Sequence, residues 1–286
     1  MKADLHIHST VSDGSDSIEQ IINIAKEKAL DVIAITEHDT LSHMTQIPNK
    51  INAIGVLKTD VSKIEASYKK KTNLKVICGV EISAVYKKTN TRTHVLGYSI
   101  KRPKIVTAFT EPILKARNKN SEKQIEVLIQ NGFKINIDEL KRADGKYLYK
   151  QHIMDWLVTT GQAPDMFGEF YKKTFKQGGI CHFDIEYPSV FEAIQVIKEA
   201  GGLAVLAHPG QQQNFWLIPE LVACGLDGLE LNHHSHSKKD KEIIQNFARE
   251  YRLFMTGGSD YHGKYEPQTF GIGDFLSDES GVRAIC

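Results

Sequence analysis

Short apolar runs rich in β-branched residues recur along the chain at Asp4–His8, Val32–Thr36, Val76–Ser83, His94–Ile100, Leu203–His208, Gly228–Asn232 and Phe254–Gly257. Their length and flanking turn residues predict seven strands. Between them the period changes. Ile18, Ile21, Ile22 and Ala25 recur at helical spacing behind Ser15-Asp16-Ser17, and Phe191, Ile194, Ile197 and Lys198 do so behind Ser189, each serine group being suited to cap a helix. Alternating strands and helices predict an α/β fold with a parallel sheet, open or closed. From about residue 104 to 188 the rhythm breaks into helical patterns through Ile113–Asn131, near Ile153–Thr160 and near Asp165–Lys176. The expected organisation is therefore a barrel or sheet built from 1–103 and 189–286, with 104–188 inserted as a helical cap. Internal repeats and low-complexity tracts are not evident.

A chain of 286 residues buries an ample core without disulfides. The four cysteines, Cys78, Cys181, Cys224 and Cys286, show no Cys-x-x-Cys spacing, and the chain opens on a strand rather than a basic segment with an apolar stretch, so a reduced, cytoplasmic protein is expected. No apolar run reaches the roughly 20 residues that span a bilayer. The net charge of +1 argues against general affinity for membranes or nucleic acid. That average hides a polarity: residues 101–180 hold 15 Lys and Arg against 9 Asp and Glu, and the remainder 21 against 26.

Ligand-type side chains close one predicted strand after another. His6 and His8 end the first on one face, since alternate residues of a strand point the same way. Glu37-His38-Asp39 ends the second, Glu81 the third and His208 the fifth; Asp260 and His262 follow the seventh, and His94 opens the fourth. In a barrel these strand ends converge at the active face. Asp13 of Ser12-Asp13-Gly14 suits a turn, yet its nearness to His8 favours a ligand role. Imidazoles and carboxylates without thiolates favour Zn, Mn or Fe in a catalytic site, and their number implies two or three divalent ions. Adjacent ions clamp an oxyanion and acidify a water, the recurring arrangement of phosphoester hydrolases, which need no organic cofactor. Either Glu37 or Asp39 could serve as an acceptor that orients an imidazole.

Together, Asp4-Leu5-His6-Ile7-His8-Ser9, Ser12-Asp13-Gly14, Ile35-Thr36-Glu37-His38-Asp39, Gly79-Val80-Glu81-Ile82-Ser83, Ala207-His208-Pro209-Gly210 and Gly258-Ser259-Asp260-Tyr261-His262 resemble the polymerase and histidinol phosphatase (PHP) family across nearly the whole chain. The resemblance implies a distorted (β/α)7 barrel. It implies that His6, His8, Glu81 and Asp260 hold one ion, that Glu81 bridges to a second held by His94 and His208, and that Asp13, His38 and His262 hold another. One departure stands out, because similar members carry Asp where this chain has Glu37.

Within the family the chain is most similar to phosphatases of 3′,5′-bisphosphorylated nucleosides, some of which also trim short RNA. That likeness implies hydrolysis of the 3′-phosphate of such a nucleotide. Tyr149-Lys150-Gln151-His152 resembles the subgroup's insertion, with Lys150 where arginine commonly stands, so Lys150 and His152 are expected to bind substrate. His182 and His236 match positions near the substrate phosphate, where either could donate a proton or hydrogen bond; His233 and His234 read as loop residues. The alternatives are a 5′-3′ exonuclease on short RNA, a histidinol phosphate phosphatase, and a metal-binding module without catalysis.

Overall fold

The computed structural model describes residues 1–47, 74–176, 178–265 and 269–286. All seven expected strands form one sheet. In chain order they are β1 (Ala3–Ile7), β2 (Val32–His38), β3 (Lys75–Ile82), β6 (Val95–Tyr98), β7 (Leu203–Leu206), β8 (Gly228–Asn232) and β9 (Phe254–Gly257), and they neighbour one another in that order. Two further strands, β4 (Val85–Tyr86) and β5 (Thr91–Arg92), pair as a small hairpin outside it. The sheet curls until its ends meet: the His8 amide donates to the Tyr261 carbonyl at 2.9 Å and the Asp260 amide to the His6 carbonyl at 2.8 Å. Asp4 staples the seam by accepting from the amides of Ser259 at 3.0 Å and Gly273 at 2.7 Å. The result is a distorted, nearly closed (β/α)7 barrel.

The expected all-parallel sheet is corrected at one strand, for β6 runs antiparallel to both β3 and β7. Parallel neighbours need a crossover of a dozen or more residues, usually helical. The 83–94 link carries the β4–β5 hairpin instead, and it delivers the chain back along β3 in the opposite sense.

Helices cover the sheet where the periodicity placed them. Helix α1 (Ile18–Glu27) starts from a Ser17–Gln20 capping box and buries Ile18, Ile21, Ile22 and Ala25 against Ile33, Ile35 and Val76. Residues of β1, β2, β3, β6 and β7, including Leu5, Ala34, Tyr98 and Val205, form a separate apolar cluster that Val282 and Ile285 of the C-terminal helix join. The central region holds α2 (Pro103–Gln130), α3 (Lys150–Thr159) and α4 (Glu169–Phe175), and α5 (Val190–Glu199) follows it, capped by Ser189 and Glu192. Helix α2 belongs to two cores. Val106 and Ile113 pack with the barrel cluster, whereas Ile125 and Leu128 pack with Leu148, Ile153, Leu157 and Phe175. The central helices are thus rooted in the barrel by a continuous rod. Among the described residues no helix is long and apolar enough to cross a membrane, and all four cysteines are free.

Candidate metal and phosphate site

At three strand ends the backbone turns sharply. Asp39, His208 and Asp260 all have positive φ, at 58°, 27° and 51°. Non-glycine residues are held in that region only where the surroundings over-determine them, and such positions gather at functional sites. Close approach matters too, since a Cβ on Gly258 would collide with the backbone of His6.

All nine residues expected as ligands meet at one end of the barrel. Glu81 is the hub. Its Oε2 lies 3.4 Å from His6 Nε2, 3.3 Å from His8 Nε2 and 3.1 Å from His38 Nδ1, while Oε1 lies 2.9 Å from His94 Nδ1 and 2.8 Å from His208 Nε2. Asp260 Oδ1 is 3.2 Å from both His6 Nε2 and His8 Nε2. Asp13 reaches 3.5 Å from His262 Nε2 and 3.9 Å from His38 Nε2. His8, Asp13, His38 and His262 therefore form one group, and His6, His8, Glu81 and Asp260 another.

The donor atoms fit a cation. His6 Nε2, His8 Nε2, Glu81 Oε2 and Asp260 Oδ1 are buried without hydrogen-bond partners, a costly arrangement for polar atoms unless something else satisfies them. Ligands about 2.1 Å from a tetrahedral ion stand about 3.4 Å apart, close to the separations observed. Electrostatics agree. Burial raises the Glu81 carboxyl, but His38, His94 and His6 outweigh it and hold the group well below the ordinary range. Burial likewise disfavours a proton on His6, yet Asp260, Glu230 and Glu81 pull it well above the ordinary value. Burial, helped by His8 and His94, outweighs Glu81 and Asp13 at His38, which is pushed down to about 3. The cluster is a buried set of ionised carboxylates interleaved with imidazoles.

Four contributing residues were not legible beforehand. Glu230 orients His6 through Nδ1 at 3.0 Å and accepts the His208 amide at 2.8 Å, the carboxylate–histidine support common around metal ligands. A glutamate within the apolar Gly228–Asn232 strand was its signal. Gln151 donates to Asp13 Oδ2 at 2.7 Å. Arg117 pairs with Asp39 at 2.7 Å, and His233 lies buried 3.3 Å from Asp260 Oδ2. It lies in the loop after β8, as expected, but its side chain turns inward. Neither Glu37 nor Asp39 orients an imidazole by a hydrogen bond: Glu37 accepts from the Ser9 amide at 3.2 Å and from the Ser9 and Ser12 hydroxyls, tying down the loop that carries Asp13.

The expected substrate residues separate. Lys150 lines a cavity with Arg92, Arg117, Lys176, His182, Tyr171 and Phe175, and burial together with Lys176, Arg92 and Arg117 pushes its ammonium down to about 8. Gln151 lines both this basic cavity and the metal-side cavity bounded by His38, Glu81, His94, Phe167 and Asp260. His182 is exposed and accepts from the Gly178 amide at 3.0 Å. His152 does not join Lys150. It accepts the Tyr149 amide at 3.1 Å as part of the α3 cap and lines a different cavity with Lys141 and Arg142. His236 is corrected as a proton donor: Nε2 accepts the Gly210 amide at 3.1 Å and Nδ1 donates to the Leu231 carbonyl at 2.9 Å, so the backbone occupies both nitrogens.

Residues 4–203 match the PHP domain family. The chain belongs to that family. It is 37% identical over 269 residues to the phosphoribosyl 1,2-cyclic phosphate 1,2-diphosphodiesterase of Eggerthella lenta, covering 93% of this chain and 95% of that one. It is 29% identical to a 5′-3′ exoribonuclease of Haemophilus influenzae, over 91% of this chain and 90% of the relative. It is 27% identical to the 3′,5′-nucleoside bisphosphate phosphatase of Chromobacterium violaceum, over 92% and 88%. A crystal structure from Bifidobacterium adolescentis, provisionally assigned as a metal-dependent phosphoesterase, superposes with a TM-score of 0.81 at 28% identity, covering 99% of this chain and 94% of that one. These PHP relatives are hydrolases of phosphoesters, and this member carries His, Asp and Glu groups that could hold the metal such enzymes use.

Proposed function

We propose that the protein hydrolyses a phosphoester on a small pentose that carries a second phosphoryl group, with that second group held in the basic cavity. The observation that carries the reading is the junction at Gln151, where a cavity lined by two lysines and two arginines meets the cavity of the Glu81 cluster. In this reading His6, His8, Glu81 and Asp260 hold one ion, Glu81, His94 and His208 a second, and Asp13, His38 and His262 a third. When bound, the ions would supply an acidified water and neutralise charge on the phosphoryl oxygens. Lys150, Lys176 and Arg92 grip the remote phosphate, while Arg117 spends one nitrogen on Asp39 and offers the rest of its guanidinium. Glu230 keeps His6 turned inward. His182, at the exposed edge of the basic cavity, offers its other ring nitrogen to substrate.

The 3′-phosphate of a 3′,5′-bisphosphorylated nucleoside meets this description and is supported by the Chromobacterium relative. A cyclic phosphate on a phosphoribosyl unit also meets it, and the higher identity of the Eggerthella relative supports that form. The deciding assay supplies Mn²⁺ and compares both compounds with histidinol phosphate, short 5′-phosphorylated RNA and a simple aryl phosphate. The reading expects kcat/KM for one of the two doubly phosphorylated pentoses to exceed that for the aryl phosphate at least roughly 100-fold, the worth of a well-held charged group. Preference for RNA would favour the exonuclease, and no turnover by ion-loaded protein would leave a non-catalytic module.

A further inference from the structure

We infer that His233 is a positioning residue that sets the rotation of the Asp260 carboxylate, and so controls how tightly the His6, His8, Glu81 and Asp260 group holds an ion. The inference rests on the metal-binding part of the reading above.

The direction of the proton follows from the backbone. The Ser235 amide lies 3.2 Å from His233 Nδ1. An amide N–H only donates, so Nδ1 accepts and the neutral ring carries its proton on Nε2. That atom is 3.3 Å from Asp260 Oδ2 and donates to it. The Ser235 hydroxyl, 2.8 Å from Nδ1, can reinforce the same tautomer by donating as well. One carboxylate oxygen of Asp260 is thereby tied back, and the other, Oδ1, is left facing His6 Nε2 and His8 Nε2 at 3.2 Å each, with no hydrogen-bond partner.

Backbone geometry shows why such a tether is useful. Asp260 sits at φ +51° with its amide bonded to the His6 carbonyl, so its Cα is fixed. The carboxylate can still rotate about its own bonds unless something holds the second oxygen. His233 is itself fully buried, with its ring centroid 5.1 Å from that of His208 and 4.1 Å from that of His234. His233, His234 and Asp260 also lie close enough to form a ligand group of their own. A proton on Nε2 opposes that use of His233, because a ligating nitrogen must be bare.

Two substitutions separate the proposals. Gln in place of His can present an amide N–H near the position of Nε2, whereas Asn matches only the Nδ1 side. His233→Gln and His233→Asn are each stripped with chelator, their unfolding midpoints compared with wild type, and their Mn²⁺ binding followed by titration and elemental analysis. Folded H233N is expected to bind one ion roughly 10- to 100-fold more weakly at unchanged saturating stoichiometry, and H233Q to stay within about threefold of wild type. Equal affinity in all three proteins overturns the inference, as does equal weakening in both variants. Loss of one whole ion at saturating Mn²⁺ would make His233 a ligand and overturn it too. If wild type itself bound no ion, the functional reading would fall first.

Discussion

Gln151 on the first turn of α3 donates to the Asp13 carboxylate at 2.7 Å, so the central helices grip a ligand-type side chain of the barrel directly. Gln151 also stands where the basic and metal-side cavities meet. Replacing it with leucine is expected to free Asp13 and raise the Mn²⁺ concentration for half-maximal activity roughly 10-fold, the usual effect of losing a group that orients a metal ligand. A titration of activity against Mn²⁺ checks it; an unchanged midpoint would dismiss the coupling.

Glu81 is the side chain whose loss should matter most. Its two oxygens lie between 2.8 and 3.4 Å from five imidazoles. Glu81→Gln keeps the shape and removes the charge, and turnover should fall by roughly 10³-fold or more, with fewer ions per chain by elemental analysis. Chelation of wild type should abolish turnover and added Mn²⁺ should restore it, whereas E81Q should recover little at any Mn²⁺ concentration.

Lys150 offers a pH signature. Its ammonium is pushed down to about 8 by burial and by neighbouring Lys176, Arg92 and Arg117, so it is charged below that pH and neutral above. kcat/KM for a doubly phosphorylated pentose should therefore decline above about pH 8 relative to that for an aryl phosphate. Lys150→Ala should lower the former roughly 10- to 100-fold and leave the latter within about threefold. Lys150→Arg should erase the alkaline decline, because guanidinium does not titrate there. Parallel pH profiles for both substrates in wild type would refute the assignment.

His43 is fully buried, and burial pushes its imidazole down to about 3 against the opposing pull of the Ile35 backbone. An unfolded chain takes up this proton near pH 6.5, before the folded one does, so the contribution of His43 to stability is intact above 6.5 and shrinks as pH falls toward 3. At pH 5 the loss is about 2 kcal/mol. His43→Leu should remove that share of the acid sensitivity, so that the variant loses less stability than wild type between pH 7 and pH 5. Denaturant unfolding of chelated protein at pH 7 and pH 5 tests it, and equal pH dependence in variant and wild type would count against the account.

Strand ends, helix caps and the nine ligand-type residues were legible because each is a local signal. Short apolar, β-branched runs mark β1 to β3, Ser17 and Ser189 mark helix starts, and histidines or carboxylates at strand ends advertise themselves against apolar neighbours. Strand direction was less legible. The 83–94 link has no crossover helix, and its short hairpin leaves β6 antiparallel, a matter of path rather than composition.

What the sequence by itself determined is therefore the inventory: a seven-stranded α/β frame, an inserted helical region, and imidazoles and carboxylates at the strand ends. Only the tertiary structure decided which atoms serve and which brace. His236 and His152 turned to backbone amides, while Glu230, Gln151 and His233 turned to ligand-type side chains. The reason is physical. Residue type sets what a side chain can donate or accept, but its partner is whichever group the fold brings within about 3 Å, and burial makes that choice binding.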